Sequence, residues 1–72
     1  MITAKVKCQL KYDTGVDGQV RLQFVADYAD GRNKEWSVYT PMLALDMTVK
    51  AEVADQFEAG KAYTLQFVPN ED

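Results

Sequence analysis

Ser37 is the only serine of this 72-residue chain, Cys8 is the only cysteine, and there is no histidine to pair with either. Nucleophilic catalysis of the Ser–His or Cys–His kind needs a base within hydrogen-bond reach of the nucleophile. Neither pair can be drawn. Eleven carboxylates are present, but no spacing constrains two of them into one pocket for acid–base work. One cysteine without histidine also leaves no ligand set for structural zinc and no intrachain disulfide. The sequence therefore predicts no catalytic residue, no metal site and no cofactor. It predicts a protein that is not an enzyme and acts by binding.

Two groups of side chains could bind. Lys5, Lys7 and Lys11 fall on one face of an alternating segment, and Arg21 can join them from the next one. A basic patch of this kind suits a nucleotide or a phosphate backbone. Lysines also guard exposed strands against edge-to-edge pairing, which is their commoner use. The second group is Arg32, Asn33, Trp36 and Tyr39, where an aromatic ring beside a cation could stack on a nucleobase. Core and rim packing is the competing role for these aromatics, and Tyr39 is the better candidate for exposure. Cys8 keeps register with Ala4, Val6 and Leu10, as a buried structural thiol would.

Charge narrows the partners. Eleven acidic residues against eight basic give a net charge of −3, which disfavours nucleic acid as a partner. The acidic residues are scattered, so nucleic-acid mimicry is not indicated either. Residues 1–7 alternate polar and apolar without the apolar stretch of a signal peptide. No segment has the length of a membrane span. A lone cysteine without an export signal fits a reducing cytoplasm.

The elements that must position these residues are mostly strands, because hydrophobic period two dominates. Ile2, Ala4, Val6, Cys8 and Leu10 mark the first. Val20, Leu22, Phe24, Ala26 and Tyr28 mark the second. Asp30-Gly31 signals a hairpin. An odd-length loop there sets Phe24 opposite Val38 and Ala26 opposite Trp36, which predicts a third strand over residues 33–39 ending at Thr40-Pro41. Leu43, Leu45, Met47 and Val49 give a fourth. From Lys50 to Glu58 the period changes to that of a short helix, and Gly60 suits its left-handed exit. Tyr63, Leu65 and Phe67 close the chain as a fifth strand. Residues 1–72 thus read as one domain, a mainly β, five-stranded small barrel with one short helix before the last strand. The position of the helix favours an SH3-like over an OB-like arrangement. A core of this size is marginal alone, so a homo-oligomer is expected.

Asn33-x-x-Trp36-x-x-Tyr39-Thr40-Pro41, followed by Phe57-x-x-Gly60-Lys61-x-Tyr63-x-Leu65-x-Phe67, resembles small β-barrel accessory proteins of tailed bacteriophages over about residues 20 to 69. Lys50-Ala51 departs from the Asn-Pro pair that often opens the helix in that group. The resemblance implies a viral, non-enzymatic accessory protein working in the host cytoplasm. The expected role is anti-defence: binding a host immune protein or a small signalling nucleotide as a homo-oligomer. The alternatives are a nucleic-acid-associated barrel in phage replication or transcription, and a small structural part of the virion.

Overall fold

The computed structural model describes residues 2–28, 31–37 and 41–70, and of Arg32 the backbone only. Four strands form one antiparallel sheet: β1 (Ile2–Asp13), β2 (Gln19–Ala26), β3 (Ala44–Lys50) and β4 (Ala62–Phe67). Their order is β3-β2-β1-β4, which places β1 and β2 at the centre. The sheet curls into a half-barrel, and a one-turn helix, α1 (Ala51–Ala54), precedes β4. The mainly β class and the helix before the last strand match the expectation from sequence.

The hairpin strand expected over residues 33–39 does not form in its described part. Gly31–Glu35 is a 3-10 turn instead. That run holds no β-branched or aromatic residue, so nothing in it prefers a pleated backbone. Val38 and Tyr39, the rest of the expected strand, lie outside the described residues.

The core occupies the concave face. Ala4, Val6, Cys8, Leu22 and Phe24 are buried there, and Val20, Leu45, Met47, Val49, Phe57, Tyr63 and Leu65 pack around them half-buried. Phe24, Phe57 and Tyr63 meet edge to face, with ring centroids 5.1 to 6.1 Å apart. Burying a side chain such as Leu22 or Phe24 stabilises the fold by about 2–3 kcal/mol.

Strict alternation breaks once. Cys8 lies opposite Phe24, but Leu10 lies opposite Gln23, so Gln9 is an extra residue on β1. Such a bulge moves every later side chain to the other face. Lys11 then lies opposite the buried Leu22, on the concave side, while Leu10 and Tyr12 turn outward. This reverses the faces expected for Leu10 and Lys11.

The helix is shorter than the expected 50–58. Lys50 at its start makes no side-chain cap bond, and a single uncapped turn gains little to offset the cost of nucleation. Backbone bonds from Gln56 to Val53 and from Phe57 to Ala54 carry the chain onward as a turn. Gly60 has φ +92°, the left-handed conformation expected of it. Its N–H donates to the Cys8 carbonyl at 2.7 Å, and the Cys8 N–H donates to the Lys61 carbonyl at 2.9 Å. These two bonds fasten the start of β4 to β1.

Candidate functional site

The outer face of the sheet gathers part of the expected basic patch. Lys5, Lys7 and Arg21 lie on it, since their neighbours Ala4, Val6 and Leu22 point into the core. Lys11 does not join them. Its Nζ donates to the Phe57 carbonyl at 3.1 Å, tying β1 to the turn after α1. In its place the bulge brings Leu10 and Tyr12 outward, 47% and 42% exposed, with Tyr12 directly opposite Arg21.

Much of the positive charge on this face is matched by carboxylates. Lys5 Nζ stands 3.7 Å from Asp27. Arg21 Nε donates to Asp46 Oδ1 at 2.9 Å, and Gln23 Nε2 to Asp46 Oδ2 at 3.5 Å. The hydrogen bond from Arg21 holds the Asp46 carboxyl below its ordinary range, against the opposing effect of desolvation. Lys7 is exposed beside these pairs. A polyanion would have to displace Asp27 and Asp46 to use Lys5 and Arg21.

The second expected group sits apart from the first. Asn33 is fully buried, with its amide bonded entirely inside the protein. Oδ1 accepts from the Lys5 N–H at 2.7 Å and from Trp36 Nε1 at 3.3 Å. Nδ2 donates to the Lys5 and Asp27 carbonyls at 2.9 and 3.0 Å. The Asn33 carbonyl accepts from the N–H groups of Trp36 and Ser37 and from Ser37 Oγ. Asn33 thereby continues the ladder beyond the end of β2, where a strand would otherwise pair with Lys5. Trp36 is half-buried against the core, its indole N–H taken up by Asn33. The Arg32 side chain and Tyr39 lie outside the described residues.

Cys8 is buried, and desolvation pushes its thiol pKa up, only partly countered by Lys11. That is the opposite of the depressed pKa a reactive thiolate needs. Among the described residues no group of three or more His, Cys, Asp or Glu could hold a metal ion. No helix among them is long and apolar enough to cross a membrane.

The concave face is open between the two sheet edges. A cavity of about 190 Å³ lies there, with Val6 and Phe24 at its floor. Leu45 and Met47 of β3 stand on one side, Tyr63 and Leu65 of β4 on the other, and Phe57 adds a wall. The sequence placed these residues in a closed core. It missed the opening, together with the outward Leu10. For Leu10 the only available signal was the polar Gln9 before it, which ordinary alternation explains equally well. Comparison with family models, curated proteins and solved structures returns no match.

Proposed function

We propose that this chain is a non-enzymatic binding protein that works as a homo-oligomer and blocks a host protein on behalf of a bacteriophage. The observation that carries the binding role is the open half-barrel, whose half-buried Leu45, Met47, Phe57, Tyr63 and Leu65 surround an apolar opening instead of a sealed core. Apolar surface left in this state marks a site of association. In this reading a partner strand takes the place of the fifth strand of an SH3-like barrel. The viral origin rests on the resemblance carried by Asn33 to Pro41 and Phe57 to Phe67, the host cytoplasm also on the lone cysteine, and the anti-defence role on that resemblance taken with the marginal core and the basic and aromatic side chains.

Of the two targets, a protein is favoured over a signalling nucleotide. Lys5 and Arg21 already face Asp27 and Asp46, which weakens them as phosphate ligands. Leu10, Tyr12 and Arg21 together offer an apolar, an aromatic and a guanidinium group on one face, and aromatic residues and arginine are enriched in protein interfaces. The same charge pairing counts against the nucleic-acid alternative.

The test is a plaque assay in bacteria that carry defined phage-defence systems. Expressing the chain is expected to restore plating of a sensitive phage at least tenfold against one system, and Tyr12→Ala is expected to remove most of that rescue. No rescue against any system, with folded protein present in the cells, overturns the anti-defence role. Cyclic dinucleotides or ADP-ribose species released on heat denaturation, identified by mass spectrometry, would overturn the choice of a protein target.

A further inference from the structure

We infer that β4 is the seam of a symmetric dimer, in which the β4 strands of two copies pair antiparallel into one continuous eight-stranded sheet. This rests on the homo-oligomer reading above and gives it a surface.

The chemistry of the β4 edge favours pairing. Soluble proteins blunt exposed sheet edges with charge, proline or bulges. β4 is an outermost strand, yet Ala-Tyr-Thr-Leu-Gln-Phe carries no charge, glycine or proline. It is also rich in residues that favour strands. β3, at the other edge, is guarded: it holds Asp46, engaged by Arg21, and ends in Lys50. Among the described residues the two edges are not equivalent, and β4 is the one that carries no charged residue, glycine or proline.

Apolar surface lies beside that edge. Phe67 lies opposite Ile2, and Leu65 opposite Ala4. Phe67 is 54% exposed and Ile2 45% exposed, on the face that elsewhere forms the core. A two-fold axis perpendicular to the sheet makes the paired strands antiparallel and keeps both core faces on the same side. The partner's β4 then stands where a fifth strand would, and extends the Leu65–Phe67 surface into a shared core.

The exposed area of one copy points the same way. A folded chain of 8.1 kDa is expected to expose about 4,500 Å². This one exposes 5422 Å², an excess of about 900 Å² over that scaling. One partner's share of a standard interface is about 800 Å². The radius of gyration agrees, at 13.6 Å against about 11 Å for a compact chain of this length. The molecule is also only 16 Å across its thinnest axis. Its missing burial is of the size that one second copy supplies.

The test uses proline at each edge, read by size-exclusion chromatography with light scattering. The Cys8 to Lys61 bond shows that odd-numbered β4 residues bond toward β1, so Gln66 directs its N–H away from it. By the Ala26 to Leu43 bond, Thr48 does the same on the far side of β3. At about 100 µM the wild type is expected at twice the 8.1 kDa protomer mass. Gln66→Pro is expected as a folded monomer, and Thr48→Pro as a dimer. A monomeric wild type overturns both this seam and the homo-oligomer reading. A dimeric wild type whose Gln66→Pro variant is also dimeric overturns the seam alone, as does loss of the dimer in Thr48→Pro only. Circular dichroism checks folding. Should Gln66→Pro unfold, Gln66→Lys decides: it is expected to weaken the dimer at least tenfold, and an unchanged dimer overturns the seam.

Discussion

Asn33 bonds with both ends of its amide to groups that are remote in sequence, chiefly the backbone of Lys5, 28 residues away. That separation explains why the sequence offered Asn33 to a ligand: nothing near it announces that Lys5 needs a partner. Asn33→Ala removes the acceptor of the Lys5 N–H and the Trp36 indole N–H and the donor to the Lys5 and Asp27 carbonyls, and is expected to cost about 3 kcal/mol. For a chain of this length that is a large share of a total near 4–11 kcal/mol. Urea unfolding checks it, as a lower midpoint at unchanged slope. Arg21 and Asp46 give a milder prediction. Asp46 has a depressed folded pKa, so its contribution is present above the unfolded value near 4 and is lost as pH falls through the folded value. Arg21→Ala is expected to return the Asp46 carboxyl upward to the ordinary range, as measured by carboxyl carbon NMR. The variant is expected to be less stable than the wild type between pH 7 and 5, with the same flat pH dependence there, and the difference is expected to shrink as pH falls through the folded Asp46 value.

At the scale of elements, alternation located the four strands of the described residues, because one buried face dictates their period. Val20, Leu22 and Phe24 kept their predicted face, as did Leu45, Met47 and Val49 across the β2–β3 ladder. The bulge at Gln9 was not legible. Cys8-Gln9-Leu10 holds neither glycine nor proline, and the insertion is visible only in the register against Phe24 and Gln23. The expected third strand failed for a related reason: the hairpin argument matched Trp36 to the core correctly but assumed a strand would carry it there. The 3-10 turn delivers it instead, with Asn33 as the anchor. The bulge makes a sharp prediction. Leu10→Ser is expected to change stability by less than about 0.5 kcal/mol, as an outward residue should. Leu22→Ala is expected to cost about 3 kcal/mol through the cavity it leaves. Equal penalties in thermal or urea unfolding would mean that Leu10 points inward.

For the whole molecule, the marginal core inferred from chain length and the open half-barrel are the same fact seen twice. A chain this short can line one concave face with apolar side chains but has too few residues to cover that face. Its outer edge among the described strands, Ala62–Phe67, is also its least charged, so the stability of the fold and the association of two copies are linked. Unfolding of a two-state dimer then depends on concentration. Each tenfold increase adds about 1.4 kcal/mol per dimer, which for 144 residues raises Tm by roughly 4–5 °C. Scans from about 5 to 500 µM should therefore move Tm upward by roughly 9 °C in the wild type. Gln66→Pro should melt lower and at a temperature independent of concentration. A wild-type Tm that stays constant over this range would place all of the stability within one copy, and the exposed Ile2 and Phe67 would then need another explanation.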